Sequence, residues 1–166
     1  MPIEVTQPSD REVRVVRTFN APRQLLWDAH TKPELMRKWC YGYEGWTLAV
    51  CDMDVREGGK YRWRWRSKED GSEFGFFGTF SDVKAPSRLA HDQYYDPGDI
   101  GGAMDTSQPA IIHTAFTETN GVTTLTMMMK FATREIRDAA VSTGMTDGME
   151  MGYERLDAMF ADMQGG

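Results

Sequence analysis

Lys60-Tyr61-Arg62-Trp63-Arg64-Trp65-Arg66 alternates aromatic ring and charge along its whole length. Successive side chains of a strand point to opposite faces, so Tyr61, Trp63 and Trp65 share one side of a sheet and the three arginines share the other. The aromatic side is the buried one, and the arginines form a solvated face paired with carboxylates on neighbouring strands. A slip of one residue would exchange the two faces, so the register is a sharp expectation. Glycine and proline punctuate the chain every eight to fifteen residues from Trp46 onward. The runs near 46–55, 60–67, 73–84, 88–95, 109–118 and 122–131 read as strands of an antiparallel meander.

Upstream, Val13, Val15 and Phe19 alternate with Glu12, Arg14 and Thr18, which marks a first strand over Arg11 to Phe19. Asn20 as a cap and Pro22 as an early proline then open a short helix with Leu25, Leu26 and Ala29 on one face. Thr31 caps a second short helix carrying Leu35, Met36 and Trp39, which Gly42 and Gly45 end. Residues 1–10, with two prolines and no periodicity, read as a flexible N-terminal tail. Downstream, Thr133 caps a helical stretch through Ala140, and Gly144 breaks it. Met145, Met149, Tyr153, Leu156, Met159, Phe160 and Met163 then recur at three- and four-residue steps in a longer helix, with Asp147 and Glu150 as a cap and its reciprocal partner. The connection from Asp96 to Pro109 is glycine-rich, holds Met104 and is long for a hairpin, which makes it either a functional lid or a floppy loop. The element order gives an α+β domain over 11–166, with the C-terminal helix across the concave apolar face of a strongly curved antiparallel sheet.

A length of 166 residues suits one domain, and 40% hydrophobic with 27% charged residues suits a soluble globular chain. A net charge of −6 has the wrong sign for a broad phosphate-binding face, which argues against nucleic acid as a partner. No stretch approaches the ~20 apolar residues of a membrane span, and Met1-Pro2-Ile3-Glu4-Val5 lacks the basic flank and apolar run of a leader, so the expected location is cytoplasmic. Cys40 and Cys51 lack the paired spacing of a zinc or redox site and read as reduced, buried thiols. Twelve methionines, five tryptophans, six tyrosines and eight phenylalanines are enough soft and planar surface either to fill a core or to line a cavity.

Catalytic motifs are sparse. Asp54-x-Arg56-x-Gly58-Gly59 leads into a strand rather than a helix, so it reads as a hairpin turn tethered by Arg56 with Asp54 or Asp52, and not as a phosphate cradle. His30 sits at a helix end, while His91 and His113 lie on neighbouring strands. Two imidazoles lack the third protein ligand of a catalytic zinc, so the functional alternative for either is a polar or acid–base group facing the interior. No Gly-x-Ser-x-Gly elbow is present, and nothing indicates a nucleophile, metal, nucleotide or other cofactor.

In order along the chain come Phe19-x-Ala21-Pro22 before a helix carrying Trp27, Leu35 to Trp39 followed by Gly45-Trp46, Asp54-x-Arg56-x-Gly58-Gly59-x-Tyr61-Arg62, Gly78, Pro86-x-Arg88-Leu89 and Thr143-Gly144-Met145-x-x-Gly148. Over residues 11–163 this pattern resembles the START-like (SRPBCC) helix-grip superfamily and, within it, the homologues of the heat-shock chaperone ATPase activator. The resemblance implies a curved seven-stranded antiparallel sheet gripping a long C-terminal helix, often over an apolar cavity. Relatives of this fold include lipid carriers, hormone receptors, polyketide cyclases and chaperone regulators, so the fold alone does not set the function. The reading favoured is a module that binds an apolar or lipid-like small molecule, with Trp63, Trp65, Phe76, Tyr94, His113, Met127, Met129, Met149 and Tyr153 as candidate wall residues. A cyclase or aromatase-type enzyme using an interior acid–base residue is the runner-up, and a chaperone or protein-interaction module with a full interior is the third reading, with a homodimer or a chaperone as its possible partner. Gly148 and Gly152, costly on a helix, suggest either close backbone approach to the sheet or free volume beside Met149 and Tyr153.

Overall fold

The computed structural model describes residues 2–98 and 107–165. The elements are β1 (Glu4–Thr6), β2 (Glu12–Phe19), α1 (Arg23–Thr31), α2 (Pro33–Trp39), β3 (Trp46–Met53), β4 (Lys60–Ser67), β5 (Glu73–Lys84), β6 (Arg88–Asp96), β7 (Ala110–Thr119), β8 (Val122–Lys130), α3 (Arg134–Ser142) and α4 (Met145–Gly165). One antiparallel sheet runs in the order β1-β2-β8-β7-β6-β5-β4-β3. Among the described residues it has eight strands rather than seven. The additional one corrects the reading of residues 1–10 as a tail: Glu4–Thr6 pairs with β2, Glu4 opposite Val16 and Thr6 opposite Arg14. Three residues are too few to show an alternation, so this strand was silent in the sequence. The other strand boundaries match the alternation to within two residues.

The register places one face of every long strand toward the helices. Val13, Val15 and Phe19 of β2 sit opposite Met129, Met127 and Thr123 of β8, and Ile112, Thr114 and Phe116 of β7 meet β8 on the same side. α4 lies over β2, with Tyr153 and Phe160 meeting the Phe19 ring edge-on at centroid distances of 5.5 and 6.1 Å. α1 packs on β7 and β8, with Trp27 edge-on to Phe116 at 6.3 Å. Tyr61 joins this core at 3% exposure, on the face that also carries Trp63 and Trp65. The arginines of β4 face outward as expected: Arg64 Nε and one terminal nitrogen of Arg66 reach Glu73 at 2.8 and 2.7 Å, and Arg64 also pairs with Asp96.

The turn after β3 behaves as the sequence indicates. Gly58 takes φ +83°, a left-handed angle that glycine adopts without steric cost, and Arg56 Nε donates to Asp54 at 2.7 Å. Thr133 caps α3, its hydroxyl accepting from Ile136 N at 3.1 Å. Three caps read from the sequence are corrected. α1 begins after Pro22 rather than being capped by Asn20, and α2 follows Lys32; neither has a side-chain cap. Thr31 instead donates to Trp27 O inside α1. Glu150 accepts from Ile3 N at 2.7 Å, holding the chain ahead of β1, and so is not a reciprocal cap partner. Residues 99–106, the middle of the segment read as a lid or loop, lie outside the described residues.

Candidate functional site

The inner face changes character from β2 toward β3. Around β4, β5 and β6 the register stacks Trp63 opposite Phe76 and Trp65 opposite Phe74, with Phe76 opposite Tyr95. Trp65 stacks on Phe74 at 5.5 Å, while Phe76 meets Trp65 at 5.9 Å and Tyr95 at 5.5 Å. All five rings are half-buried. Together they form an aromatic trough at one end of the concave face.

At the inner end of the trough Tyr61, Trp63, Phe80 and His91 converge. His91 is 5% exposed and lies edge-on to Tyr61 at 5.1 Å and to Trp63 at 5.8 Å. Tyr61 donates its hydroxyl to Asp92 O at 2.6 Å. Trp63 Nε1 and His91 Nδ1 are buried and have no hydrogen-bond partner among the described residues. A buried polar atom left unpaired costs about 1–3 kcal/mol, and Arg17 Nε and His30 Nε2 in the packed core are in the same state. Burial pulls the His91 pKa down to about 4, against the Gln93 side chain, which favours the protonated ring. The ring is therefore neutral at pH 7. Burial also pushes the Tyr61 hydroxyl far up.

The structure divides the residues expected to line a cavity. Trp63, Trp65 and Phe76 lie in the trough, and Met127 and Met149 are half-buried against the adjoining core. Met129 and Tyr153 are buried core residues at 5% and 2% exposure; Tyr153 is held between Phe19 and a stacked Trp39. Two placements are corrected. Tyr94 is on the outer face, stacked on the exposed Phe77 at 5.3 Å, and its neighbour Tyr95 takes the inner position. His113 is exposed on the outer side of β7, opposite Ala90 and Met128. Adjacent rings at Phe76-Phe77 and Tyr94-Tyr95, and adjacent Ile111-Ile112, erase the alternation that would reveal which side faces in.

Arg17 was missed. It is 2% exposed on the inner face of β2, and its two terminal nitrogens bind Asp157 at 2.8 and 2.7 Å, with Glu150 at 3.6 Å. The signal was available: Arg17 shares parity with Val13, Val15 and Phe19, and Glu150 and Asp157 lie two turns apart on α4. His30 is a second, half-buried imidazole, between Trp39 and Phe116 at 4.8 and 5.1 Å. Burial lowers its pKa to about 4.

Gly148 and Gly152 of α4 face α2 and the chain after it, not the sheet. A Cβ on Gly152 would come within 3.2 Å of Trp39 Cε3, whereas one on Gly148 would meet only Tyr43, at 3.9 Å. Gly152 thus serves close packing and Gly148 borders open space. Surface depressions of about 700 Å³ beside β3 and β4 and about 170 Å³ around His113 and Met128 both lie away from the underside of α4. Cys40 and Cys51 are free thiols, and burial pushes them up to about 12 and about 11. Among the described residues no three His, Cys, Asp or Glu side chains cluster as metal ligands, and no helix is long and apolar enough to cross a membrane.

A concave antiparallel sheet holding a C-terminal helix on its apolar face defines a helix-grip protein of the START-like class. The family model for Activator of Hsp90 ATPase homolog 1-like protein matches residues 20–161, and the chain belongs to that family. Solved structures with this architecture include a Rhodobacter sphaeroides protein, 28% identical with a TM-score of 0.85 over 98% of this chain and 99% of that one. A Mycobacterium smegmatis protein is 21% identical with a TM-score of 0.81 over 95% and 96%. A Staphylococcus epidermidis protein is 25% identical with a TM-score of 0.76 over 98% and 95%. No curated protein sequence matches the chain.

Proposed function

We propose that this protein binds an apolar small molecule against the aromatic trough of β4, β5 and β6. The observation that carries this reading is the pair of unpartnered buried atoms, Trp63 Nε1 and His91 Nδ1, beside rings that remain half-exposed. Binding sites are largely apolar with a few convergent polar groups, and this end of the molecule has that composition. Binding is favoured over proton transfer. An imidazole with a pKa near 4 is a weak base at neutral pH, and the Tyr61 hydroxyl, raised by burial and bonded to Asp92 O, is a poor acid. The two free thiols fit a reducing compartment, the cytoplasm.

The test is titration with N-phenyl-1-naphthylamine, an uncharged probe whose emission rises in apolar surroundings. The expected result is saturable binding with a rise in Tm, lost in Phe76→Glu and retained in Phe77→Glu on the opposite face. Equal binding by the two variants would reject the trough as the site.

A further inference from the structure

The outer, convex face of the sheet holds a row of side chains that the trough does not use. Asp52 of β3 stands opposite Arg62 of β4, Arg62 opposite Phe77 of β5, and Phe77 opposite Tyr94 of β6. Phe77 and Tyr94 are stacked at 5.3 Å with their planes 11° apart, and Phe77 keeps 43% of its surface exposed. The depression of about 700 Å³ beside β3 and β4 is lined by Asp52, Asp54, Lys60, Arg62 and Phe77, among others. We propose that this depression is a binding site of its own, independent of the trough, and that it takes planar aromatic carboxylates. The ring of such a ligand lies on Phe77, and its carboxylate meets Arg62 with Lys60 nearby.

The charges decide the class of ligand. Arg64 and Arg66 on the same strand are already bound to Glu73 and Asp96. The side chains of Arg62 and Lys60 are exposed and hold no ion pair among the described residues, although Asp52 stands opposite Arg62. Of the carboxylates in the depression, Asp54 is taken by Arg56 at 2.7 Å, and Asp52 lies on β3 with Arg62 between it and Phe77. A guanidinium offers a carboxylate two parallel N–H donors, which orient the ligand as well as hold it. A ring pair across two strands already stabilises a sheet. The open face of Phe77 adds a flat apolar platform on which a further ring can stack. Because the chain as a whole carries a net charge of −6, it offers anions no general attraction, and an anion that binds here does so through these local cations.

The experiment titrates the full chain at pH 7.5 with 2-naphthoate and with 2-naphthol, an uncharged compound of the same shape, and follows the backbone amides by NMR. Expected is saturable binding of 2-naphthoate with shifts concentrated at Arg62, Phe77 and Tyr94, and weaker binding of 2-naphthol at those residues. Arg62→Gln and Phe77→Ser should each lower the 2-naphthoate affinity about fivefold, the scale of one exposed ion pair or one aromatic contact. Arg66→Gln, which removes an arginine of the same face that Glu73 already holds, should leave it within about twofold. All three positions are exposed, so each variant should fold, and its circular dichroism checks that. Shifts from 2-naphthoate confined to Trp63, Trp65 and Phe76 would overturn the outer site and leave the trough standing. Equal affinities of the two compounds at Phe77, or equal losses in Arg62→Gln and Arg66→Gln, would overturn the selection of carboxylates by Arg62. An absence of saturable 2-naphthoate binding on the outer face would overturn the proposal outright, whatever the trough binds.

Discussion

Over β2, β8 and β7 the inner-face residues Val13, Val15, Phe19, Leu125, Ile112 and Phe116 are all at least 97% buried under α4 and α1. At the other end Trp65, Phe74, Phe76 and Tyr95 lean on one another and stay half-exposed. The same sheet and the same alternation thus build two different surfaces. The difference lies in what faces them: at the first end helices deliver Tyr153, Leu156, Phe160 and Trp27 into the sheet, and close packing follows. At the second end, among the described residues, only Met36 of α2 and the Cys40 carbonyl after it meet the tryptophans of β4, and Phe74, Phe76 and Tyr95 stay half-exposed. Close packing resides in the first region and the proposed recognition in the second, and each can be attacked separately.

The largest expected contrast is in truncation. Phe160→Ala removes a ring that is 3% exposed and packed on Phe19, and should destabilise by about 3–5 kcal/mol. Phe74→Ala removes a half-exposed ring and should cost about 1 kcal/mol, within the range of one aromatic pair. Urea unfolding of both variants checks this, and equal losses would abolish the distinction between the regions.

Acid sharpens it. His30 lies in the packed region and His91 at its border with the trough, each with a pKa lowered by burial from 6.5 to about 4. The unfolded chain takes up these protons first, so stability is full above pH 6.5, falls as pH drops toward 4, and levels off below that. The loss should be roughly 3 kcal/mol per histidine, and His30→Phe or His91→Phe should each remove its share. NMR titration of the ring protons separates the sites: a His91 midpoint near 6.5 beside a His30 midpoint near 4 would show that water fills the border of the trough.

Arg17 ties α4 to β2 within the packed region. Asp157→Ala removes both of its short charge-assisted hydrogen bonds and leaves Glu150 at 3.6 Å, for an expected loss of about 2 kcal/mol. Arg17→Met combined with Asp157→Leu should recover most of that loss, because a buried ion pair can be replaced by apolar packing at little net cost. Denaturant midpoints of the single and double variants decide it. A double variant no better than Asp157→Ala would show that Arg17 has a role besides pairing.

The two regions were also unequally legible in the sequence. Strand positions came through wherever ring or aliphatic groups alternated with charge, as in β4 and β2, because a half-buried strand imposes that period. Facing was lost where neighbours were equally apolar, as at Tyr94-Tyr95, and there only the cross-strand register decided it. Arg17 was passed over because composition ranks arginine as exposed, and only its parity with Val15 and Phe19 placed it inside. The trough required both facts at once: which rings face in, and which polar atoms reach no partner. The second depends on side-chain geometry that no spacing encodes.

The smallest expected effects come from Gly148 and Gly152 of α4, four residues apart on a face turned toward α2. Alanine in place of glycine gains about 1 kcal/mol of helix propensity at either position. At Gly148 the new methyl meets only Tyr43 Cε2 at 3.9 Å, ordinary contact, so the gain should be realised and Gly148→Ala should stabilise by about 1 kcal/mol. At Gly152 the methyl meets Trp39 at 3.2 Å, and Trp39 cannot give way. Its indole nitrogen is bonded to Ala29 O at 2.9 Å and its ring is stacked on Tyr153. Overpacking there should outweigh propensity and leave Gly152→Ala less stable than wild type by about 1 kcal/mol. Opposite shifts in the urea midpoint from one substitution made one turn apart would locate the edge of close packing between these two residues. Stabilisation by both would mean that α4 can move away from Trp39, and that the packed region is looser than its buried side chains indicate.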